Sequence, residues 1–252
     1  ITDKTREATA RVDAIQNAAR AIKRALDANS SRKLLIGHGS GSFGHFAAQK
    51  SGFGQRGNWR AYAQTGARAS QLTRIVTDIF IAEEIPVVAM QPSASARCRD
   101  GQLIELATRP IQTALAHNLV PLVHGDVAFD ETREMTIAST EMIFAYLAPI
   151  LKPSRIILAG IVDGVFTADP LKESNAELLS EIKPANFLQI ENMLRGSHGV
   201  DVTGGMIAKV KSMVALVERE PEIQVQIVSV GILERVLEKE NYKTGTLIHS
   251  GV

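Results

Sequence analysis

The sequence contains a single cysteine, Cys98, among 252 residues. No internal disulfide can form, and a structural thiol in a reducing compartment is the expectation. No apolar run reaches the roughly 18 residues that a membrane-spanning helix needs. The opening Ile1-Thr2-Asp3-Lys4 lacks the character of a signal peptide, so a soluble, cytoplasmic protein is expected. Charge of one sign is missing as well. Lys and Arg total 28 against 27 for Asp and Glu, and a formal charge of +1 supplies no global field for nucleic acid or an anionic membrane. Any anion must be recognised locally. There is no linker rich in Pro, Gly or Ser, no charge run and no internal repeat, so one domain spanning 1–252, with two lobes, is expected.

What is present is a hydrophobic fraction of 45%, enough for a sizeable core, arranged in two alternating patterns. Val12, Ile15, Ala19, Ile22 and Leu26 recur at steps of three and four and predict a helix over about 8–28. The run Leu34-Leu35-Ile36 then reads as a buried strand. Leu72, Ile75, Val76, Ile79 and Phe80 form a second helical face before a strand from Pro86 to Met90. Helix and strand continue to alternate: Ile111–His117 then Val120–Val123, Met142–Ile150 then Ile156–Ala159, Ile207–Val217 then Val225–Val230. This pattern predicts an α/β fold, an open, mainly parallel sheet sandwiched between helices. A small β-hairpin is expected over 127–137, turning at Asp130-Glu131-Thr132-Arg133. Folds of this type usually open on a strand, and this chain opens on a polar segment, so an N-terminal strand is expected to be missing.

The segment His38-Gly39-Ser40-Gly41-Ser42-Phe43-Gly44-His45 follows the first strand and contains a literal G-x-G-x-x-G at Gly39, Gly41 and Gly44. A dinucleotide site needs an acidic residue about 20 positions later. No Asp or Glu occurs between His45 and Thr77, and the Gly-Lys-Ser/Thr of a P-loop is absent. What remains is a run of backbone N–H groups opening a helix, suited to a phosphate, or else an ordinary flexible turn. The same stretch carries Lys50, Arg56, Arg60, Arg68 and Arg74, a local cationic surplus. His45, at the end of the loop, is read as a donor to phosphate rather than a core histidine, and His38, nearer the strand, as structural. His117, His124, His198 and His249 have no metal-ligand spacing, and no metal site is expected.

Three further segments follow strands or open a helix: His124-Gly125-Asp126, the loop Gly160–Phe166 with Asp163-Gly164, and Asp201-Val202-Thr203-Gly204-Gly205-Met206, which leads into a helix holding Lys209. Ligands in open α/β sheets bind beyond the carboxyl ends of strands. Two glycines before a helix with a lysine one turn in would set N–H donors and a cation beside a polyphosphate, or would merely cap the helix.

Taken in order, Ile1–Lys4, His38–His45, Met90-Gln91-Pro92-Ser93-Ala94, His124–Asp126, Val162-Asp163-Gly164-Val165-Phe166 and Asp201–Met206 with Lys209 resemble the isopentenyl phosphate kinases of the amino acid kinase superfamily. Gly-Ser-Phe-Gly-His is the discriminating segment. The resemblance covers nearly the whole chain and implies a homodimeric enzyme of the isoprenoid (alternative mevalonate) route. Such an enzyme converts isopentenyl phosphate to isopentenyl diphosphate with ATP and Mg²⁺, the ion riding on the ATP phosphates. It implies an acceptor lobe over about 1–150 and a nucleotide lobe over 151–252. Residue by residue, Gly41, Asp163, Phe166, Gly204, Gly205 and Lys209 match the ATP side, and Ser40, Gly44, His45 and Gly125 the acceptor side. Lys4 matches a lysine that stabilises the transferring phosphoryl group, so Lys4, His45 and Lys209 are the expected catalytic residues.

The sequence departs from the family at three places. Ser40 stands where glycine is common, Ser139-Thr140-Glu141 replaces Ser-Gly-Asp, and Ile161 stands where Asp is frequent. A strand ending in Lys-Leu-Gly-Gly-Ser ordinarily precedes the position of Ile1. The helix bearing Leu72, Ile75, Val76 and Ile79 is either a wall for the isoprenoid tail or ordinary core. A kinase of another small phosphate or phosphonate, such as fosfomycin, and a nucleotide-binding protein of this fold without turnover are the competing readings.

Overall fold

The structure, a computed structural model, describes residues 1–196, 202–239, 242 and 244–251. It comprises two compact units, Ile1–Leu147 and Ala148–Val252.

The first unit opens with a strap, residues 1–10, folded back on itself by a Thr2–Ala10 bridge and a 3.0 Å bond from Asp3 N–H to the Thr9 carbonyl. Helix α1 therefore runs Val12–Ala28 rather than from residue 8. Ala8 is left-handed at φ 46°, a conformation that cannot continue a right-handed helix. Ile15, Ala19, Ile22 and Ala25 of α1 are buried, and Val12 is exposed.

Then follow β1 (Ile36–His38), α2 (Gly41–Ser51), α3 (Trp59–Ala82), β2 (Val87–Ala89), β3 (Arg97–Arg99), β4 (Gln102–Glu105), α4 (Arg109–Ala116), β5 (Val120–His124), β6 (Asp126–Asp130), β7 (Glu134–Ala138) and α5 (Thr140–Leu151). Strand β5, buried at every position, is the middle of a parallel sheet ordered β1-β5-β2. Its pairing selects the extent of β1. Ile36, Gly37 and His38 lie opposite Leu122, Val123 and His124, which leaves Leu34 and Leu35 ahead of the strand.

Helix α3 is longer than its apolar stripe alone indicates, because Asn58 caps it by accepting from the Ala61 N–H at 3.2 Å. Leu72, Val76 and Phe80 of α3 are core. Each such side chain removed from water stabilises the fold by roughly 2 kcal/mol. Leu72 and Val76 are thus packing residues and not a wall open to a ligand.

Strands β6 and β7 form the expected antiparallel hairpin, with Asp130 opposite Glu134, inside a sheet ordered β4-β3-β6-β7. Asp130 holds two turns together. Its carboxylate accepts from the N–H groups of Thr132, Arg133, Asp100 and Gly101 at 2.6–3.1 Å. Burial acts to raise its pKa, and these four donors more than offset that, leaving it below the usual carboxylate range. The β3–β4 hairpin turning at Asp100-Gly101 carries no strong alternation in sequence and was not anticipated. Cys98 of β3 is fully buried, and burial, with Asp130 nearby, pushes its thiol up to about 11, which makes it unreactive.

The second unit contains β8 (Arg155–Gly160), β9 (Val165–Phe166), β10 (Leu178–Leu179), β11 (Glu181–Ile182), α6 (Pro184–Gly196), α7 (Val202–Arg219), β12 (Gln224–Ser229), α8 (Leu233–Glu238) and β13 (Thr246–Ile248). Its sheet is ordered β11-β13-β12-β8, parallel between β8 and β12 and between β11 and β13. Buried Gln226 of β12 fastens the segment before β13 by donating to the carbonyls of Tyr242 and Thr244 at 2.8 and 2.9 Å. Among the described residues no helix is long and apolar enough to cross a membrane.

Candidate active site

In the first unit the parallel pairing of β1 and β5 brings their carboxyl ends to one edge. There the Gly125 N–H donates to the His38 carbonyl at 2.9 Å, and a side chain on Gly125 would lie 3.6 Å from the Ser40 nitrogen. The two backbone segments expected on the acceptor side, Ser40–Gly44 and His124–Asp126, are therefore neighbours. Ser40 precedes α2 with φ −67° and ψ −11°, ordinary right-handed backbone, so serine in place of glycine introduces no strain. The left-handed position is Gly41, at φ 51°. Gly44 is needed for space, since a β-carbon there would meet the Ser40 side chain, the β-carbon at 2.5 Å.

Helix α2 begins at Gly41, so His45 sits in its second turn rather than in the loop, with its side chain exposed. Lys4 is exposed on the strap. The cationic surplus is spread over α2, the loop after it and α3, and is partly neutralised. Lys50 pairs with Glu7, and Arg74 with Asp78 at 2.5 Å.

Behind this edge lies a buried polar seam. His38 presents Nδ1 to the Gly39 carbonyl at 3.0 Å and Nε2 to the Thr73 hydroxyl at 3.2 Å. A proton on Nδ1 satisfies the first contact and leaves Nε2 as an acceptor that shares the single Thr73 hydroxyl proton with the Ala69 carbonyl, also at 3.2 Å. Burial, more than any other influence, lowers the His38 pKa to about 4; the Gly39 bond opposes the shift and His124 adds to it. His38 is structural, as its place near the strand suggested.

The His124 ring stacks on it with centroids 5.7 Å apart. His124 is 1% exposed, and its Nε2 lies 3.5 Å from Asp126 Oδ2. Burial lowers its pKa against the opposing pull of Asp126. Asp126 in turn accepts from the Ser93 N–H at 3.1 Å, which ties the Met90–Ala94 segment to this edge. Thr140, in the place of a family glycine, donates its hydroxyl to the His38 carbonyl at 2.7 Å. The roles of Asp126, Ser93 and Thr140 escape sequence reasoning. All three lie in short motifs of the sequence, which show their positions but not their partners.

In the second unit, Gly160 and Ser229 end the parallel strands β8 and β12 opposite each other. The loop after β8 leaves Asp163 exposed and Phe166 half-buried in β9, paired with Leu178 of β10. Ile161 is 65% exposed, so its side chain takes no part in the core. Helix α7 starts at Val202, which places Gly204 and Gly205 within its first turn rather than ahead of it. Nothing crowds the Gly205 Cα. Lys209 follows Gly205 by four residues, on the same helical face. Asp201 and His198 lie outside the described residues. Among the described residues no group of three His, Cys, Asp or Glu could hold a metal ion.

Comparison with known proteins supplies the remaining observations. The model of the amino acid kinase family matches residues 1–229. The isopentenyl phosphate kinase of Methanothermobacter thermautotrophicus is 34% identical over 230 residues, covering 87% of this chain and 85% of that protein. That of Methanocaldococcus jannaschii is 32% identical over 221 residues, covering 83% and 81%. A solved isopentenyl phosphate kinase structure superposes with a TM-score of 0.78 at 30% identity, covering 95% of this chain and 92% of the other.

Proposed function

Since the chain belongs to the amino acid kinase family, we propose that it transfers the γ-phosphoryl group of ATP to isopentenyl phosphate, yielding isopentenyl diphosphate and ADP. The observation that carries this reading is the edge formed by Ser40, Gly41 and Gly125 at the ends of β1 and β5, with the exposed imidazole of His45 on the helix that starts there. It is a place where N–H groups and one titratable donor can meet a phosphate.

The chemistry asks little of an enzymic base. A phosphomonoester has its second pKa near 6, so its oxygen is already largely ionised at neutral pH. That oxygen bonds to the γ-phosphorus as the bond to the β–γ bridging oxygen breaks, and ADP leaves with the electron pair. The barrier is the approach of two polyanions, lowered by positioning and by charge neutralisation. Ser40 would orient the acceptor phosphate through its backbone N–H, Gly44 and Gly125, whose own N–H groups bond to the Ser40 and His38 carbonyls, would leave space beside it, and His45 would donate to it. Gly41, Gly204, Gly205 and Lys209 would hold the ATP phosphates, with Asp163 and Phe166 on the nucleotide side. Lys4 would neutralise charge on the group in transit.

Magnesium suits hard oxygen ligands and retains water. It would be held chiefly by the triphosphate oxygens and would neutralise charge there. A homodimer acting in the cytoplasm belongs to the same proposal and rests on the family resemblance.

The test is ADP release with and without isopentenyl phosphate, with the product identified by mass. Release that depends on isopentenyl phosphate is the expected result. Turnover of fosfomycin without turnover of isopentenyl phosphate would replace the acceptor, and nucleotide binding without turnover of either would replace the enzyme by a binding protein. Lys209→Ala should raise KM for ATP and lower kcat.

A further inference from the structure

We propose that Ser42 is a positioning residue for Lys4, a reading that rests on the role given to Lys4 above. All three polar groups of Ser42 hold the strap that carries this lysine. Its N–H donates to the Thr2 hydroxyl at 3.2 Å, its carbonyl accepts from the Ala8 N–H at 3.4 Å, and its Oγ accepts from the Thr9 N–H at 3.4 Å. Thr2 and Ala8–Thr9 are the two arms of the strap, joined to each other by the Thr2–Ala10 bridge and the Asp3–Thr9 bond. Between them the chain turns through Lys4, with the Asp3 carboxylate accepting from the Thr5 N–H and hydroxyl at 2.8 and 2.7 Å. One residue in the first turn of α2 thus clasps both arms of the loop that bears Lys4.

Two features separate this clasp from incidental surface contact. Ser42 is 2% exposed, so its bonds are shielded from water and a donor deprived of its partner there is costly. Gly41 is left-handed, and a β-carbon on it would collide with the Thr2 side chain, so the Thr2 hydroxyl reaches the Ser42 N–H only because residue 41 has no side chain. The additional Lys50–Glu7 ion pair is exposed on both sides and contributes little. The same turn of α2 leads to Ser40 on one side and His45 on the other. The clasp therefore fixes the lysine relative to the residues proposed to hold the acceptor phosphate. The motif segment Gly-Ser-Phe-Gly-His has a second purpose: its serine works on the strap and its histidine on the ligand.

Displacing a catalytic group by about 1 Å can cost 10²-fold in rate. Ser42→Ala, which removes the acceptor for Thr9, and Thr2→Val, which removes the acceptor for Ser42 itself, should each lower kcat by roughly 10- to 100-fold with KM for both substrates nearly unchanged. Thr2→Ser, which retains the hydroxyl, should recover most of kcat. In a Lys4→Ala background neither substitution should lower kcat further, since a positioning residue acts only through the group it positions. Independently of activity, trypsin should cut after Lys4 and Arg6 faster in both variants than in the wild type. Thr2→Val lies in the half-buried strap and keeps the test open should Ser42→Ala fail to fold.

Wild-type turnover in Lys4→Ala would remove the role of Lys4 itself. A Lys4-dependent reaction would overturn the positioning role alone if Ser42→Ala and Thr2→Val kept wild-type kcat. Losses that multiply with that of Lys4→Ala, or unchanged cleavage of the strap, would do the same.

Discussion

Acidification should destabilise the first unit through His38 before it affects the carboxylates. In the folded protein this imidazole is buried and its pKa is lowered from 6.5 to about 4, with desolvation the largest cause. In the unfolded chain it returns to the ordinary value. Between those two values the unfolded state binds the proton and the folded state does not, so stability falls as pH drops. Contributions present above pH 6.5 are lost progressively toward pH 4. A shift of this size corresponds to about 3 kcal/mol over the whole interval, of which about 2 kcal/mol is lost by pH 5. His124, stacked on His38 and also lowered by burial, adds to the loss in the same direction. The lowered carboxylates, Asp3, Asp130 and Glu181, start from ordinary values of 3.8, 3.8 and 4.5, so their contributions are lost at more acidic pH. The assay is equilibrium unfolding in urea at pH 7.5, 6 and 5, on wild type and on His38→Gln, which cannot titrate. Wild type should lose about 2 kcal/mol more than His38→Gln between pH 7.5 and pH 5. Equal losses in the two proteins, or a wild-type stability flat over that range, would refute the assignment.

Three further outcomes are expected. Because His45 is exposed, His45→Ala should leave Tm nearly unchanged while lowering the rate with isopentenyl phosphate by roughly 10²- to 10³-fold, and His45→Gln should retain part of it; wild-type kinetics in His45→Ala would remove it from the reaction. Gly44→Ala should lose stability and activity through its collision with Ser40, and Ser40→Gly introduced beside it should restore the stability, as thermal melts of the single and double variants would record. Asp130→Ala leaves four backbone donors without their acceptor and should cost roughly 3 kcal/mol in urea unfolding, with a smaller cost for Asp130→Asn, whose Oδ1 still accepts from three of them while its amide nitrogen cannot accept from Gly101.

The alternation of helix and strand, the buried run of β5, the hairpin over 127–137 and the glycine loop opening a helix were all legible in the sequence, because each is a local pattern. Period 3.6, period 2 and the backbone needs of a turn are carried by neighbouring residues. The family resemblance was legible for the same reason, its motifs being short and contiguous. Other features depended on partners far along the chain. Helix α1 yields its first turn because residues 1–10 bond to themselves and to Ser42, 33 residues beyond Thr9. The apolar run before the glycine loop is set in register by β5, so the strand is Ile36–His38 and not Leu34–Ile36. Leu72 and Val76 could have lined a ligand or filled a core, and only packing made them core. Thr140 finds the His38 carbonyl across 102 residues and Asp126 the Ser93 N–H across 33. A hydrogen bond between residues so far apart leaves no periodic trace in either segment. The sequence by itself determined the main alternation of helix and strand and marked the glycine loop as the candidate for a phosphate. Only the tertiary structure decided which side chains hold that loop in place, because those contacts exist only once the chain has closed on itself.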